Sequence, residues 1–341
     1  MARISIAPMV DITDRHFRYF CRLLTKKSTL YTEMITSSAI VHGDRNKLLD
    51  FDPFEKPIAL QLAGWDKEEL AEAVKIAEEW DYDEINLNLG CPSDRVSGNM
   101  MGAALMAYPE KVAEIIHVMK RETKKPITVK HRIGIDGTNV LPDSLEKVVL
   151  DKYEDMERFV KMIAEAGVKH FIVHARIAIL EGLSPKDNRE VPPLRYEDVY
   201  RLKKDFPRLF IEINGGIRTI ESIREHLKHV DGVMLGRVAY ENPFILTEVD
   251  QFIPGGKVNN VSRKEIIEGL IDYVERFGGD EKMGYHAIKN TLGLFHNKRG
   301  SKIWRQLISN PGKEGYKAKK VLIKALESLP QEVLEERPIM D

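Results

Sequence analysis

The chain has 341 residues, of which 43% are apolar, and its formal net charge is −1. This length exceeds one small domain and suits a large barrel with an appended unit, while a charge near zero indicates no global attraction to nucleic acid. The two cysteines have no ligand-like spacing, the N-terminus lacks a signal peptide, and no apolar run approaches the roughly 20 residues of a membrane span, so we expect a soluble cytoplasmic protein without a disulfide framework or a metal site.

Short β-branched runs recur along most of the chain, and amphipathic segments separate most of them. The pattern predicts eight strands, at residues 4–7, 30–32, 58–62, 84–89, 127–131, 170–174, 210–214 and 232–235. It predicts intervening helices at 67–79, where Asp66 could form the N-cap, and at 109–122, 153–166, 196–205 and 220–229. Eight strands alternating with helices favour a closed (β/α)8 TIM barrel, an α/β fold, over a doubly wound sheet.

The fourth predicted strand ends in a Gly-Cys-Pro turn around Cys91. Gly90 permits an unusual backbone angle and Pro92 fixes the exit direction of the chain. A lone cysteine of this kind is often a buried structural residue. The flanking polar residues are Asn88, Ser93 and Asp94. Because core positions rarely have so many polar neighbours, the turn favours a thiol at the mouth of a strand, where it can give or accept a proton.

Polar side chains stand at the ends of five predicted strands. They are Gln61, Asn88, Lys130, His131, His174 and Asn214. Each could be an ordinary solvated strand end. In a parallel barrel, however, these ends converge on one face, where active sites are found, so we expect the six side chains to meet there.

Two glycine-bearing turns follow the last two predicted strands, at Gly215-Gly216 and at Gly236. Barrels of this class bind phosphate at these positions through backbone N–H groups, and Arg237 would add a charge-assisted contact. Glycine marks any tight turn, but glycines at both expected positions favour a phosphorylated cofactor.

Other residues at the barrel mouth suit a flavin mononucleotide. Lys130 can balance the electron-rich N1 side of a reduced flavin, and Gln61 can hydrogen-bond a ring edge. Pro8 and Met9 could pack on a flat ring, and His174 would point into the same mouth. The GxGxxG fingerprint is absent, which argues against a Rossmann nicotinamide site and makes FMN the natural candidate.

Two segments interrupt the alternation of strands and helices. Residues 177–193 form a long polar insertion, and loops of this length in compact domains are usually functional or disordered. Beyond residue 254 the strands stop, and helices are predicted at 261–277, 284–295, 301–307 and 315–328. We therefore expect a barrel domain at 1–254 and an all-helical C-terminal domain at 255–341.

The C-terminal region is strongly basic although the whole chain is nearly neutral. Residues 289–324 contain ten basic residues and one acidic residue, a net charge of +9. The basic residues are Lys289, Lys298, Arg299, Lys302, Arg305, Lys313, Lys317, Lys319, Lys320 and Lys324, the acid is Glu314, and the interleaved aromatic residues are Phe295, Trp304 and Tyr316. A charge run is usually a solvated helix face, but this one-sided run favours contact with a nucleic-acid backbone.

The chain resembles the tRNA-dihydrouridine synthases and, within them, the DusA-type subfamily. The resemblance runs nearly end to end. It is carried by residues 7–9 with Asp11, by 57–62, 86–93 and 128–132, and by 173–176, 182–186 with 188–189, 214–216 and 236–237. The Asn-x-Gly-Cys-Pro element ending at Pro92 is specific to the family, and the Leu-Ser-Pro-Lys and Val-Lys-His-Arg runs point to the A-type.

The resemblance implies an FMN enzyme that uses NADPH to reduce uridine to 5,6-dihydrouridine at positions 20 and 20a of the tRNA D-loop. Hydride would pass from the reduced flavin to C6, and Cys91 would give a proton to C5. The implied FMN contacts are Pro8, Met9, Gln61, Lys130, His174, Asn214, Gly215, Gly216, Gly236 and Arg237. The implied tRNA contacts are Asn88, Lys186, Arg189, Lys302 and Arg305. No metal, membrane or obligate protein partner is implied.

Three positions depart from the family pattern. Ala104 stands where a second cysteine is usual, which leaves Cys91 as the one plausible acid. Ile177 replaces a frequent lysine, and Lys302 stands where arginine is expected. A lysine lacks the bidentate geometry of arginine toward phosphate, so this change bears on tRNA contact.

Two other functions fit parts of the pattern. A flavin-dependent reductase of a free pyrimidine or another small enone would have no use for the +9 segment, and salt-sensitive retention of tRNA would separate the two. A non-catalytic RNA-binding barrel would have lost its cofactor, and flavin absorbance of the purified protein would exclude it.

Overall fold

The computed structural model describes residues 2–92, 100–142, 145, 147–276, 281–309 and 317–339. The strands within these ranges are β1 (Arg3–Ile6), β2 (Thr29–Thr36), β3 (Ile58–Ala63), β4 (Glu84–Leu89), β5 (Ile127–Asp136), β6 (Val149–Leu150), β7 (His170–Ile179), β8 (Phe210–Asn214) and β9 (Gly232–Leu235).

Eight of these strands are parallel and form a closed barrel. Their order is β4-β3-β2-β1-β9-β8-β7-β5, and pairing of β4 with β5 closes the circle. Every residue of β3 and β4 is buried, as expected for strands covered by helices outside and by packed side chains inside. The predicted (β/α)8 barrel is confirmed.

Four strands, β2, β3, β5 and β7, extend beyond their predicted ends. β5 and β7 continue past the barrel as a paired ribbon in which Asp136 lies opposite Ile179, with a register shift between Arg132 and Gly134. The short β6, which the sequence did not predict, pairs antiparallel with the end of β5. A Cβ at Gly134 would lie 2.1 Å from the carbonyl oxygen of Leu150, so only glycine permits this approach. Because β7 runs to Ile179, the first three residues of the predicted insertion at 177–193 belong to this strand.

Helices surround the barrel and follow it. They are α1 (Arg15–Leu24), α2 (Ser37–His42), α3 (Arg45–Leu49), α4 (Lys67–Ala77), α5 (Pro109–Glu122), α6 (Tyr153–Glu165), α7 (Tyr196–Asp205), α8 (Ile220–His226), α9 (Val238–Glu241), α10 (Arg263–Glu275), α11 (Glu281–Ile288), α12 (Ser301–Ser309), α13 (Ala318–Glu327) and α14 (Gln331–Leu334). Single 3₁₀ segments occur at Pro53–Glu55, Gly102–Ala107, Asp187–Arg189, Pro243–Thr247, Val249–Phe252 and Lys289–Gly293.

Side-chain caps define several helix starts. Asp66 caps α4 as predicted, because its carboxylate accepts from the Glu69 amide at 2.8 Å. The sequence did not predict α1, which Asp14 caps and which buries two arginines. One of them, Arg18, donates through Nε to the buried Glu55 carboxylate at 2.6 Å. Charged residues on the buried face of α1 weaken the apolar pattern from which a helix is predicted.

The C-terminal region after α9 contains helices and no strand among the described residues, as predicted. It packs on α1, where Tyr19 and Tyr273 stack with ring centroids 3.8 Å apart. Its own core contains Trp304, whose Nε1 donates to the Thr291 carbonyl at 3.0 Å and whose ring meets Phe295 at 4.6 Å. The domain boundary near 254–260 stays a prediction. The described residues do not include the predicted start of the last helix, nor Lys313, Glu314 and Tyr316.

None of the helices in the described part of the chain has both the length and the apolar character needed to cross a membrane.

We expect the Trp304→Ala variant to destabilise the helical region by about 3–5 kcal/mol, because Trp304 is fully buried and the truncation leaves a cavity and an unpaired carbonyl. The neighbouring Ile303 is 47% exposed, so Ile303→Ala should cost less than about 0.5 kcal/mol. Urea unfolding followed by circular dichroism measures both. Equal unfolding midpoints for the two variants would contradict the assignment of Trp304 to the core.

Candidate active site

A cavity of about 670 Å³ opens at the carboxyl-terminal ends of the barrel strands. All ten residues predicted to hold the cofactor line it, namely Pro8, Met9, Gln61, Lys130, His174, Asn214, Gly215, Gly216, Gly236 and Arg237. Cys91, Asn88 and Arg189 line the same cavity. The closed barrel therefore brings together groups that are more than 200 residues apart in sequence.

Amide side chains form a network on the wall of the cavity. Gln61 Nε2 donates to Asn86 Oδ1 at 2.8 Å, and Asn88 Nδ2 donates to Gln61 Oε1 at 2.8 Å. Asn86 Nδ2 in turn donates to Thr128 Oγ1 at 2.8 Å. These contacts use one N–H and one lone pair of the Gln61 amide, so one donor and one acceptor site remain for a ligand.

Hydrogen bonds from β4, from the 3₁₀ segment Gly102–Ala107 and from β5 hold the turn that carries Cys91. Asn88 Oδ1 accepts from the amides of Gly90 and Cys91, at 3.1 and 3.0 Å. The Ala103 amide donates to the Cys91 carbonyl at 2.9 Å, and Arg132 Nε donates to the Gly90 carbonyl at 2.9 Å. Cys91 itself is partly exposed to the cavity, whereas Cys21 is buried in α1. The predicted position of the thiol at a strand mouth agrees with this geometry.

The expectation of an unusual backbone angle at Gly90 is wrong. Its φ does not lie in the left-handed region, and a Cβ there would meet the backbone of Lys130 and His131 at 3.4 Å, an ordinary contact. Side-chain hydrogen bonds shape the turn instead. Ser93 and Asp94, the other polar neighbours, lie outside the described residues.

Lys130 and His174 differ in charge although both line the cavity. Burial, with a smaller contribution from the Arg132 charge, lowers the pKa of Lys130 to about 8. Burial and the nearby cations Arg132 and Lys130 hold the pKa of His174 well below its usual value, so the imidazole is neutral at neutral pH. In the described ranges no carboxylate pairs with the Lys130 ammonium, which leaves its charge for a ligand.

The first glycine turn requires glycine for steric reasons. Gly215 and Gly216 have φ values of +121° and +72°. A Cβ on Gly215 would lie 2.8 Å from the His174 ring, and one on Gly216 would lie 2.7 Å from Leu194. At Gly236 the same construction meets nothing within 4 Å, so the cavity reaches the backbone there. Both turns border the space in which a phosphate was predicted.

Arg237 lies at the rim, where it meets the insertion. Its Nη1 pairs with Glu190 Oε1 at 2.6 Å, and its Nη2 donates to the Arg189 carbonyl at 3.4 Å. Arg176 also reaches the insertion, because its Nη1 donates to the carbonyls of Pro192 and Glu190.

His131 does not face the cavity, so its expected place among the converging side chains is wrong. It packs outside the barrel between Phe159 and Phe171, with ring centroids 5.4 and 5.9 Å away. Burial lowers its pKa to about 4. Side chains alternate along a strand, so its neighbours Lys130 and Arg132 point inward and His131 points toward the helices.

The residues predicted to contact tRNA occupy three places. Asn88 is buried in the amide network, Lys186 and Arg189 are exposed on the insertion, and Lys302 and Arg305 are exposed on α12. Lys302 and Arg305 line a second cavity, of about 670 Å³, between α12 and the residues near Tyr240. Tyr240 lines both cavities, which places the two openings side by side.

Two inward-facing residues, Asn86 and Arg132, were not among the predicted site residues. Each lies two positions from a predicted site residue on the same strand, so strand alternation alone could have indicated them. Among the described residues, no group of three or more histidine, cysteine, aspartate or glutamate side chains could hold a metal ion.

The chain is similar over most of its length to proteins of one family. A family model described as dihydrouridine synthase matches residues 5–330. A tRNA-dihydrouridine(20/20a) synthase from Synechocystis is 53% identical over 90% of this chain and 88% of that protein. Proteins of the same name from Pseudomonas aeruginosa and Vibrio vulnificus are 49% and 46% identical, over 96% and 97% of this chain and 95% and 98% of their own lengths.

One solved structure is similar in fold alone. It is a 2-naphthoyl-CoA reductase in complex with 2-naphthoyl-CoA, with a TM-score of 0.52 and 10% sequence identity. The match covers 75% of this chain, and the chain spans about half of that protein, 51% of its length.

We expect Gly215→Ala to destabilise the protein by about 1–3 kcal/mol, because the new Cβ meets His174 and the backbone angle disfavours any side chain. Gly236→Ala is the matched control and should change stability by less than about 0.5 kcal/mol, since its Cβ enters open space. Chemical denaturation of the protein without added ligand measures both, and similar losses for the two variants would rule out the steric argument.

Proposed function

The chain belongs to the dihydrouridine synthase family, and from this membership and the cavity we propose that it reduces uridine to 5,6-dihydrouridine in tRNA. We place the reaction at positions 20 and 20a of the D-loop, the positions in the names of the relatives, and in the cytoplasm. The observation that carries the proposal is the convergence of the Cys91 turn, the Lys130 ammonium and two glycine turns on one cavity.

The residues of the cavity fit FMN. Lys130 has a positive charge without a carboxylate partner in the described ranges, Gln61 retains a donor and an acceptor, and Gly236 leaves the backbone open to a ligand. The residues that would hold FMN are the ten predicted from the resemblance. When bound and reduced by NADPH, FMN supplies the hydride that is added to C6 of the uracil ring.

Cys91 supplies the proton for C5. A thiol can act as a general acid, and hydride at C6 with a proton at C5 completes the reduction of the double bond. Lys130 and Arg132 line the same cavity as Cys91 and would face the negative charge left on sulfur, since a charge at Cys91 acts to raise the pKa of both cations against the larger effect of burial.

The tRNA is bound by exposed cations around the cavity. Arg189 lines the main cavity, Lys186 is exposed on the same insertion, and Lys302 and Arg305 line the second cavity. We assign the barrel to 1–254 and the RNA-binding helical domain to 255–341. The target base must leave its stack to reach the cavity, at a cost of a few kcal/mol that phosphate contacts offset. Binding of a free pyrimidine or a small enone would not require these cations.

We expect Cys91→Ala to abolish dihydrouridine formation while NADPH still reduces the bound flavin, because only the proton donor is removed. Cys21→Ala is the control: it removes the buried thiol of α1 and should leave the chemistry intact. Mass spectrometry of the tRNA and flavin absorbance under anaerobic conditions measure the two half-reactions. Unchanged dihydrouridine formation by Cys91→Ala would eliminate the proposed acid.

We expect the affinity for FMN to fall as the pH rises through about 8. The pKa of Lys130 is lowered to about 8, so its ammonium is charged below this pH and loses its attraction for the electron-rich cofactor above it. Lys130→Met should bind FMN about 10–100-fold more weakly at pH 7 and should lose this pH dependence. Flavin fluorescence titrations at pH 6.5–9.5 test this, and an unaltered pH profile in the variant would exclude Lys130 as its source.

A further inference from the structure

Arg132 donates hydrogen bonds to three backbone carbonyls that belong to separate parts of the chain. Its Nε donates to Gly90 at 2.9 Å, and its Nη1 donates to Ile177 at 2.9 Å and to Asn188 at 3.0 Å. Only 3% of the residue is exposed, and within the described ranges it pairs with no carboxylate. Burial lowers the pKa of Arg132 to about 10, so the guanidinium is charged at neutral pH. Its contacts are therefore charge-assisted hydrogen bonds to carbonyls, which are stronger than neutral ones.

Two of these carbonyls belong to elements with different proposed tasks. Gly90 immediately precedes Cys91, whereas Asn188 lies on the insertion between Lys186 and the exposed Arg189. Arg132 thus joins the turn of the proton donor to the loop that is proposed to contact RNA.

Asn188 makes the insertion a compact unit. The buried side chain accepts a hydrogen bond from the Ile179 backbone amide at 2.8 Å through Oδ1. Through Nδ2 it donates to the Ile179 carbonyl at 2.8 Å and to the Leu183 carbonyl at 3.2 Å. The backbone amide of Asn188 donates to the Ser184 carbonyl at 2.9 Å. The carbonyl that Arg132 holds is therefore fixed to the end of β7 and to the first half of the insertion.

On the basis of the proposed function, we infer that Arg132 and Asn188 couple the position of Cys91 to the position of the insertion. We call this pair of residues the clamp. Arg132 is a positioning residue in this role, since it acts through the Gly90 carbonyl. Asn188 acts through Arg132. Contact between RNA and the insertion would then stabilise the arrangement in which the thiol faces the target base.

The guanidinium fork is what permits this link. Its Nε and Nη1 point in different directions, so one side chain serves carbonyls on both sides of β5. The ammonium of a lysine at this position would keep the charge but would lack the planar, divergent donors. Arg132→Lys therefore removes the link while it preserves the local electrostatics.

The test compares Arg132→Lys, Asn188→Ala and the double variant. We expect each single variant to slow single-turnover reduction of uridine about tenfold or more at saturating tRNA, because small displacements of a catalytic group cost rates of this order. FMN content should stay within about twofold of wild type in every variant, and the Kd for tRNA should stay within about twofold in Arg132→Lys. The double variant should be no slower than the slower single variant, since both break one link.

A second readout does not depend on the reaction. Alkylation of Cys91 by iodoacetamide, followed by peptide mass spectrometry, should be several-fold faster in all three variants because the turn is released, and the buried Cys21 should stay unmodified. Val191→Ala, at a 62% exposed position of the same insertion, is the control and should match wild type in every measurement.

Three outcomes would overturn the clamp: an unchanged alkylation rate, additive losses in the double variant, or loss of FMN from Arg132→Lys in parallel with the rate, which would make Arg132 a cofactor contact. If wild type forms no dihydrouridine, the proposed function fails instead. Alkylation would still report whether Arg132 and Asn188 hold the Cys91 turn.

Discussion

The pairing of β4 with β5 is the contact on which the rest of the site depends, because it closes the barrel and aligns the two strands that carry the reactive groups. Asn88 lies opposite Lys130, and Leu89 lies opposite His131. The turn after β4 therefore runs beside the inward-facing side chains of β5, and Arg132 reaches the Gly90 carbonyl. A slip of one residue would exchange the inward and outward faces of β5 and would place His131 where Lys130 lines the cavity.

Charge is distributed unevenly along the interior of the barrel. At the amino-terminal ends of the strands the buried carboxylates are paired within the chain: Glu84 binds Arg3 at 2.8 Å, and Glu212 accepts from Ser5 and meets His170 at 2.9 Å. At the carboxyl-terminal ends the cations are in excess, and burial lowers the pKa of Lys130 and Arg132. A barrel arranged in this way neutralises its own acids at one end and keeps positive charge for an electron-rich ligand at the other.

Much of the cavity was predictable from the sequence because a parallel barrel orders its strand ends by a simple rule. Gln61, His174 and Asn214 stand at the ends of apolar runs, so their convergence follows once eight strands are recognised. His131 was misplaced because a position near a strand end does not reveal which face a side chain occupies. Strand alternation places Arg132 and Asn86 on the same faces as Lys130 and Asn88, but their importance lies in hydrogen-bond partners on other parts of the chain, which the sequence does not show. The extension of β5 and β7 escaped prediction because it rests on pairing between strands that are about 40 residues apart.

The sequence by itself determined the strand and helix alternation, the Cys91 turn, the glycine turns and the basic helical region, because periodicity, turn chemistry and charge are local properties of a chain. Only the tertiary structure decided that Lys130 has no carboxylate partner in the described ranges and that Arg132 ties the Cys91 turn to the insertion. These facts depend on the closure of the barrel and on hydrogen bonds between residues 42 and 56 positions apart. Burial and hydrogen-bond geometry arise when the strands meet, so no local pattern encodes them.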